Sequence, residues 1–412
     1  MSIRPLHAVL VERATPRLSE LLAAALDGTG PAIAPLDATL PAARLDKLLA
    51  ALAPDTVEDP EGVTTARSGE RRGVADSTAV IVGTSGSTGI PKGVELSAAA
   101  LLHSARASLA RLGARPGDRW LCCLPASYIA AIQVLVRSLV AGTDPVLADR
   151  ADAETVAASG CAHVSLVPTQ LRRLLGQGVD MSTPLAGFRS VLLGGAAAPA
   201  DLLAAALAAG VPVVTTYGMT ETCGGCVYDG IPLDGVRVEI RNDDAGGAGD
   251  GSGRIWIGGP VLFSGYVGAQ QGPDPGWFRT GDLGRIGPDG RLVVRGRADD
   301  VINTGGFKVV PGEVEAALRS CPGVSDVAIV GQPDPEWGER VIAVVVPADP
   351  NDPPGLDLLR LHVQHRLPRY AAPSGVVIVG AVPLLPSGKH DVAGLRAELL
   401  RREQTEAESV TN

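Results

Sequence analysis

The residue types best suited to chemistry are concentrated in one short segment, residues 84–93 (TSGSTGIPKG). Gly86 and Gly89 permit positive φ angles and a close approach of the backbone to a ligand. Backbone N–H groups and hydroxyl side chains here can donate to phosphate oxygens, and Lys92 adds positive charge. The hydroxyl side chains are those of Thr84, Ser85, Ser87 and Thr88. The segment predicts a phosphate-binding loop, with a flexible Ser/Gly loop as the alternative.

This loop differs from a Walker A motif, because Lys92 is followed by glycine instead of Ser or Thr. Elements on both sides must hold it in place. Residues 78–82 form a β-branched run that predicts a strand, and residues 97–112 favour a helix. Further short apolar runs at 119–124, 163–167, 190–193 and 211–215 alternate with helical patterns at 170–176 and 199–209. Strands alternating with helices indicate parallel α/β layers.

The sequence before the phosphate segment and the sequence after residue 231 show different patterns of apolar residues. Leu18, Leu21, Leu22 and Leu26 share one helical face, with Gly28 as a stop, and a second leucine pattern runs over 45–52. Residues 54–78 are polar and predict a loop or linker. From residue 231 onwards, alternating runs separated by Gly, Asp and Pro predict a β-rich subdomain. A polar, Gly-containing segment at 296–306 is a candidate hinge.

After that segment the pattern predicts a small α+β unit with helices at 311–320 and 356–366. Its strands are expected at 326–330, 340–346 and 375–379. We therefore predict an α/β protein with a large N-terminal domain, residues 1–298, and a small C-terminal domain, residues 299–412. The N-terminal domain should contain layered α/β subdomains and the β-rich subdomain.

The phosphate segment resembles that of the acyl-adenylate-forming superfamily, which includes acyl-CoA synthetases, aryl-CoA ligases, peptide-synthetase adenylation domains and luciferases. Further segments resemble its other motifs. They are GGAAAP at 194–199, YGMTE at 217–221, TGD at 280–282, GRADD at 296–300, TGGFK at 304–308, LPRY at 367–370 and PSGK at 386–389. The resemblance runs from about residue 79 to 395 and implies a mobile C-terminal domain.

By this resemblance, the first part of the chain supplies the nucleotide site. Tyr217 would pack on adenine, with Gly218 beside it, and Thr220 would contact the α-phosphate. Glu221 would hold Mg²⁺ between phosphates. The adenine-contacting turn would contain Gly194, Gly195 and Ala196, whose small size leaves room for a flat base.

The later motifs would complete the site. Asp282 would accept from both ribose hydroxyls, and Arg297 would contact ribose or phosphate. Asp299 would be the hinge pivot. The pantetheine tunnel would be lined by Gly305 and Gly306. Lys389 would reach the acyl carboxylate and the α-phosphate, so the catalytic set implied is Lys389, Thr220 and Glu221.

The resemblance implies an enzyme that uses ATP, Mg²⁺ and CoA to activate a small-molecule acid through an acyl-AMP intermediate. The chain is short before the phosphate loop, and residues 216–230, 124–129 and 164–171 look like the o-succinylbenzoate–CoA ligase group of menaquinone biosynthesis, in its compact actinobacterial form. Alternatives are another aryl- or fatty-acid CoA ligase, or an adenylation enzyme that loads a separate carrier protein. A non-catalytic nucleotide-binding protein is disfavoured because the motif residues are intact.

One position departs from the family pattern. Tyr128 stands where many members carry a histidine near the acyl pocket, and a tyrosine is neutral near pH 7. Tyr128, Gln133 and His163 are kept as candidate pocket residues, with Gly194 at the pocket edge. A structural role is the alternative for His163.

Composition bounds the remaining possibilities. The net charge of −9 gives no electrostatic reason to bind nucleic acid or an anionic membrane. No apolar stretch reaches about 20 uninterrupted residues, so no membrane insertion is expected. Six cysteines in 412 residues are no disulfide framework, and Cys223-x-x-Cys226 lacks the second pair that a zinc site needs. We expect a cytoplasmic protein without a signal peptide, and a homodimer by analogy with relatives.

Overall fold

The computed structural model describes residues 3–67, 73–85, 91–176, 182–242, 251–268, 272–274, 276–384 and 390–411. The chain divides into two compact units. The first contains residues 1–198, 202–239 and 256–279, and the second contains 199–201, 240–255 and 280–412. The predicted boundary between residues 298 and 299 lies inside the second unit and stays a prediction about motion.

The strands up to residue 232 are β1 (Ile3–Arg4), β2 (Leu6–Val11), β3 (Ala32–Asp37), β4 (Thr56–Glu58), β5 (Thr64–Ala66), β6 (Val74–Ala75), β7 (Thr78–Ser85), β8 (Pro91–Ser97), β9 (Trp120–Cys122), β10 (Val146–Leu147), β11 (His163–Leu166), β12 (Ser190–Leu193), β13 (Val213–Met219), β14 (Gly224–Tyr228) and β15 (Ile231–Pro232). The later strands are β16 (Arg237–Arg241), β17 (Gly253–Gly258), β18 (Gly265–Tyr266), β19 (Trp277–Ile286), β20 (Leu292–Arg297), β21 (Ile302–Thr304), β22 (Phe307–Val309), β23 (Val324–Asp334), β24 (Gly338–Pro347) and β25 (Gly375–Ile378).

The helices are α1 (Pro16–Asp27), α2 (Ala42–Leu52), α3 (Ala98–Arg111), α4 (Ile129–Ala141), α5 (Ala153–Ala158), α6 (Pro168–Gly176), α7 (Ser182–Ala186), α8 (Ala200–Ala208), α9 (Pro311–Leu318), α10 (Leu356–Gln364) and α11 (Val392–Thr411). Single 3₁₀ turns lie at Thr220–Thr222 and Arg369–Ala371. Within the described ranges, no helix is both long enough and apolar enough to cross a membrane.

One sheet of the first unit has the order β10-β9-β11-β12-β13-β14-β15. The strands from β10 to β13 run parallel, and β14 and β15 add antiparallel edges. Its buried strands pack with α5, α6, α7 and α8 in one apolar cluster that includes Val164, Leu171, Leu185, Val191 and Leu202. The alternation of strand and helix confirms the predicted α/β class.

The second sheet has the order β18-β8-β7-β3-β2-β4-β5. Helix α1 is capped by Thr15. It ends directly before Gly28, whose φ is +84°, as predicted for the stop at that glycine. The linker predicted at 54–78 is wrong, because this segment contains the short strands β4, β5 and β6. The sequence analysis also did not predict β2 and β3. These two strands are almost wholly buried, so they show apolar runs without the alternation that marks a half-exposed strand.

The remaining sheets lie further along the chain. The order β16-β17-β19-β20 confirms the β-rich region expected from residue 231. In the second unit, β23 and β24 pair along their length, β21 and β22 extend the sheet, and β25 joins β24 in parallel. One face packs on α9 and α10 and the other on α11. The predicted α+β unit is therefore present.

Candidate active site

The predicted phosphate segment connects β7 and β8, which pair antiparallel. Thr84 lies opposite Lys92 in this pairing, and the Thr84 hydroxyl donates to the Lys92 carbonyl oxygen at 3.3 Å. Ser85 lies opposite Pro91. The side chain of Lys92 is exposed. The two strands thus bring Thr84 and Lys92 together at the base of the connecting segment.

Some predicted residues cannot be placed. Gly86, Ser87, Thr88, Gly89 and Lys389 lie outside the described residues. Their roles stay predictions from the sequence.

The predicted adenine residues meet at the carboxyl ends of parallel strands. Gly194 to Ala196 follow β12 directly, and Tyr217 lies near the end of the neighbouring β13. A Cβ atom on Gly194 would lie 2.3 Å from Thr216 Oγ1, so only glycine allows this approach. The carboxyl edge of a parallel sheet is the usual ligand position in open α/β folds.

Glu221 lies on a one-turn 3₁₀ helix between β13 and β14. The ladder of these strands is irregular between Tyr217 and Gly218, where a bulge redirects the chain. A Cβ atom on Gly218 would lie 2.0 Å from the Gly224 carbonyl oxygen. This close approach makes Gly218 a packing requirement of the turn that carries Glu221.

A buried threonine holds the same turn. Thr222 Oγ1 accepts from the Met219 N–H at 2.9 Å and contacts the Gly224 carbonyl oxygen at 2.8 Å. Because Thr222 has no exposed surface, these bonds are shielded from water. Thr220 and Glu221 are thereby held next to the end of β13. Sequence reasoning assigned no role to Thr222.

Tyr266 links Glu221 with Lys92. The Tyr266 hydroxyl donates to Glu221 Oε1 at 2.9 Å, and Lys92 Nζ lies 5.4 Å from the centroid of the tyrosine ring. Burial, reinforced by the Glu221 charge, raises the pKa of Tyr266, so the hydroxyl stays protonated. Sequence reasoning missed Tyr266, because no spacing rule connects β18 with the turn after β13.

Two of the predicted acyl-pocket residues lie on α4 or at its start. Tyr128 caps the helix and is half-buried, and burial raises the pKa of its hydroxyl, with a smaller contribution from Asp37. Gln133 is buried, and its Nε2 donates to the Leu101 carbonyl oxygen at 3.5 Å. Its Cγ would lie 3.5 Å from a Cβ on Gly224, which places Gln133 beside the Glu221 turn.

The structure does not bring His163 to these residues. His163 begins β11, whereas Gly194 and Tyr217 lie at the carboxyl ends of β12 and β13. Its ring is completely buried, stacks on Trp120, and hydrogen-bonds Ser190 through Nδ1 at 2.8 Å. Burial lowers the pKa of His163, although Asp118 opposes the shift. This geometry favours the structural alternative over the predicted ligand contact.

In the second unit, the predicted ribose residues face each other on β19 and β20. Arg297 Nη1 lies 3.4 Å from Asp282 Oδ1, and Nη2 lies 3.3 Å from Asp299 Oδ2. Burial lowers the pKa of Arg297, but the charges of Asp282, Asp299 and Asp300 outweigh it and raise the pKa. Thr280 Oγ1 accepts from the Asp282 N–H at 3.0 Å and fixes the backbone there.

Gly305 and Gly306 form the two-residue turn of the β21–β22 hairpin. Their φ angles are +56° and +81°, which a hairpin turn with two left-handed residues requires. A Cβ on Gly305 would lie 2.6 Å from the Trp337 ring. Next to this turn, Phe307 stacks on Tyr370 with ring centroids 4.4 Å apart.

A cavity of about 350 Å³ lies within the same unit. Its lining combines two aromatic rings, two arginines, one carboxylate and the hydroxyl groups of a threonine, a serine and a tyrosine. The residues are Thr304, Asp334, Trp337, Arg340, Val341, Arg360, Tyr370, Ala372 and Ser374. The rings and the arginines can contact a flat ring and anionic groups, whereas Asp334 would repel an anion placed beside it.

The carboxylate at residue 221 fits the chemistry of Mg²⁺. Within the described ranges, no group of three or more His, Cys, Asp and Glu is placed to hold a metal ion. Mg²⁺ binds nucleotides through one or two carboxylates together with phosphate and water oxygens, and Glu221 supplies one such carboxylate. Cys223 and Cys226 are buried; burial raises the pKa of both thiols, that of Cys226 to about 12.

The chain belongs to the AMP-binding enzyme family. The family model described as AMP-binding enzyme matches residues 31–267, and the one described as AMP-binding enzyme C-terminal domain matches residues 313–389. The resemblance to the acyl-adenylate-forming superfamily is thereby confirmed.

Within this family, the chain is similar to proteins named 2-succinylbenzoate–CoA ligase. A Mycobacterium tuberculosis protein named probable 2-succinylbenzoate–CoA ligase is 45% identical over 356 residues, covering 83% of this chain and 88% of the relative. The 2-succinylbenzoate–CoA ligase of Bacillus licheniformis is 35% identical, covering 76% of this chain and 69% of the relative.

Among solved structures, the chain is similar to o-succinylbenzoate CoA synthetase from Bacillus subtilis in complex with the acyl-adenylate intermediate. The TM-score is 0.81 at 26% identity, over 95% of this chain and 88% of the other. The same protein in complex with ATP and a magnesium ion gives a TM-score of 0.80, also at 26% identity, over 94% of this chain and 88% of the other.

Gly218→Ala should damage the site through packing. The new methyl group would meet the backbone of β14, which a side-chain rotation cannot relieve. We expect a loss of about 1–3 kcal/mol in stability and weaker ATP binding. Thermal unfolding and ATP titration measure both effects.

Gly176→Ala is the control, because a Cβ at Gly176 meets nothing within 4 Å. It should leave ATP binding unchanged and should not lower stability, because alanine at a helical position is at least as favourable as glycine. Equal behaviour of the two variants would contradict the packing argument.

Proposed function

We propose that this chain is an AMP-forming acid–CoA ligase that converts o-succinylbenzoate (2-succinylbenzoate), ATP and CoA into o-succinylbenzoyl-CoA, AMP and pyrophosphate. It would serve menaquinone biosynthesis. The observation that carries the proposal is the 45% identity with the M. tuberculosis protein over 83% of this chain. The geometry at Glu221 and Lys92 agrees with the reaction class.

The first step joins two anions. The substrate carboxylate attacks the α-phosphorus of ATP, an acyl-phosphate bond forms, and the bond to pyrophosphate breaks. Lys92, Thr84 and the residues from Ser85 to Gly89 would hold the phosphate oxygens. Lys389 would stabilise the negative charge that develops between the carboxylate and the α-phosphate. These groups lower the barrier by position and charge.

Mg²⁺ would be held at Glu221 and would neutralise phosphate charge when bound. Thr220 would donate to the α-phosphate. Tyr217 and Gly218 would contact the adenine, together with Gly195 and Ala196 of the turn after β12. The carboxyl edge formed by β12 and β13 supports this placement, since both segments end there.

The acid would bind next to the Glu221 turn. Gln133 is buried beside Gly224, and Tyr128 lies at the start of the same helix. With a raised pKa, Tyr128 is a neutral hydrogen-bond donor or acceptor at pH 7, unlike the histidine that many relatives carry. Gly194 would border this pocket.

The second step is the attack of the CoA thiol on the acyl-AMP carbonyl carbon, and AMP leaves.

The second unit would supply contacts for both nucleotides. Asp282 would bind the ribose hydroxyls of ATP or AMP, and Arg297 would contact its ribose or phosphate. The hairpin turn at Gly305 and Gly306 would border the pantetheine arm. The aromatic and arginine side chains of the adjacent cavity support binding of the CoA nucleotide. We place the hinge for the change between steps at Asp299.

A related ligase with another acid, or with a carrier protein as the thiol donor, is the second candidate. The cytoplasmic location and the homodimer remain predictions, as does the absence of nucleic-acid binding.

To test the proposal, the purified protein is incubated with ATP, Mg²⁺, CoA and one carboxylic acid at a time from a panel that includes o-succinylbenzoate. Pyrophosphate release and mass spectrometry of the thioester are measured. Strong preference for o-succinylbenzoate with formation of its CoA ester supports the proposal. Preference for another acid overturns the substrate, and an adenylate without a CoA ester overturns the acceptor.

Lys389→Ala separates the two steps. We expect it to abolish acyl-AMP formation and to spare thioester formation from supplied o-succinylbenzoyl-AMP, because only the first step needs charge between carboxylate and α-phosphate. Lys47→Ala, an exposed lysine on α2, is the control and should change neither rate. Equal loss of both steps in Lys389→Ala would contradict the role.

Asp299→Pro tests the hinge. The Val301 N–H donates to the Ala298 carbonyl oxygen across a turn, which puts Asp299 at the second position, where proline is well tolerated. The variant should fold, but proline fixes φ and restrains rotation. Thioester formation should fall more than adenylation, as single-turnover rates would show.

Asp299→Ala, which keeps backbone freedom, should lose much less of the second step. If Asp299→Pro forms the thioester as fast as the parent protein, a hinge at this residue is ruled out.

A further inference from the structure

Tyr266 is held by strand β8 and by the ring of Phe263. Its strand β18 pairs antiparallel with β8, where Tyr266 lies opposite Val94. The Val267 N–H donates to the Gly93 carbonyl oxygen at 2.9 Å, directly after Lys92 in the chain. The ring of Phe263 meets the Tyr266 ring edge-on, with centroids 4.9 Å apart. The position of the Tyr266 ring is therefore determined by the strand that carries Lys92.

The same segment is tied to the Glu221 turn. The Phe263 N–H donates to the Glu221 backbone carbonyl oxygen at 2.9 Å, while the Tyr266 hydroxyl donates to the Glu221 carboxylate, also at 2.9 Å. Both the backbone and the side chain of Glu221 are thus fixed by residues 263–266. No part of this arrangement depends on a bound ligand.

A cation and an anion that share a phosphate site tend to pair with each other when no phosphate is bound. Such an ion pair would neutralise both groups and oppose ligand binding. Tyr266 avoids it, because its hydroxyl gives Glu221 a hydrogen bond without adding charge. Its ring faces Lys92 Nζ at 5.4 Å, a favourable cation–π contact.

We propose that Tyr266 is a positioning residue for ATP and Mg²⁺: its hydroxyl orients the Glu221 carboxylate, and its ring holds Lys92 apart from that carboxylate. The inference rests on the proposed function, since it takes Glu221 as the residue that holds Mg²⁺. Groups that hydrogen-bond a metal-binding carboxylate orient it, and their loss typically weakens metal binding about 10- to 100-fold. Tyr266 itself takes no part in bond making or breaking.

The test compares equilibrium ATP binding with and without the metal. Isothermal titration calorimetry measures ATP affinity of the full-length protein in MgCl₂ and in EDTA. Tyr266→Phe keeps the ring and removes the hydroxyl. We expect about a 10-fold loss of affinity in MgCl₂ and no change in EDTA. Equal affinities of the parent protein and Tyr266→Phe in MgCl₂, or an equal loss in both buffers, would overturn the proposal.

Tyr266→Leu removes the ring as well. It should weaken ATP binding also in EDTA, because Lys92 loses the aromatic face that positions it. If Tyr266→Leu matches Tyr266→Phe in EDTA, the part of the proposal that concerns Lys92 is wrong.

Tyr228→Phe is the matched control. The Tyr228 hydroxyl is buried and lies 2.7 Å from Ser108 Oγ, so its loss costs stability without touching Glu221. This variant should show a lower unfolding temperature and an unchanged ratio of affinities in MgCl₂ and EDTA. A changed ratio would mean that general loosening explains the effect, which overturns the specific role of Tyr266.

A double-mutant cycle with Glu221→Gln completes the test. In that background Tyr266→Phe should cause no further loss in MgCl₂, because the two residues act as one unit. Additive losses would overturn the proposal. If the unmodified protein binds ATP equally with and without Mg²⁺, the proposed function itself fails, which is distinguishable from failure at Tyr266 alone.

Discussion

The close approach of β13 and β14 is the constraint on which the proposed nucleotide site depends. Gly218 lies against the Gly224 carbonyl oxygen at a distance that no side chain permits, and the ladder bulges there. The chain then turns through one 3₁₀ turn that the buried Thr222 holds. Glu221 is on that turn, so the position of its backbone follows from this packing, and the Tyr266 hydroxyl then contacts its carboxylate. A loop of the same composition without this approach would leave the carboxylate unplaced.

Electrostatics sets the second requirement. The chain carries a net charge of −9, yet its site must accept ATP and a carboxylate. Individual cations are held at particular positions despite the overall negative charge. In the first unit, Lys92 and Glu221 both contact Tyr266, Lys92 at its ring and Glu221 at its hydroxyl. In the second unit, Arg297 is surrounded by the charges of Asp282, Asp299 and Asp300. Lys92 and Arg297 are thus each held by contacts with their neighbours.

The second unit adds a different kind of surface. Two glycines close the hairpin between β21 and β22, and Gly305 leaves room for the Trp337 ring. The adjacent cavity is lined by the rings of Trp337 and Tyr370, by Arg340 and Arg360, and by the carboxylate of Asp334. The Glu221 turn lies in the first compact unit, whereas Asp282, Arg297 and this cavity lie in the second.

Local sequence was sufficient for features that depend on short-range chemistry. The α/β class follows from alternating apolar runs and helical periods, and the end of α1 at Gly28 follows from glycine's tolerance of positive φ. The motif residues from Thr84 to Lys389 are readable because phosphate and metal chemistry demand particular residue types at short spacing. The family follows from several such motifs in one order.

Other features were decided only by tertiary structure. Strands β2 and β3 escaped detection, because burial on both faces removes the alternation by which strands are read. His163 had the residue type of a ligand contact, but it begins β11, away from the carboxyl ends where the motif residues meet. The contact of Tyr266 with Glu221 could be found only in the structure, where β18 pairs with β8. The sequence by itself determined which groups are available, whereas strand pairing and burial decided which of them meet, because contacts between distant segments leave no local periodicity.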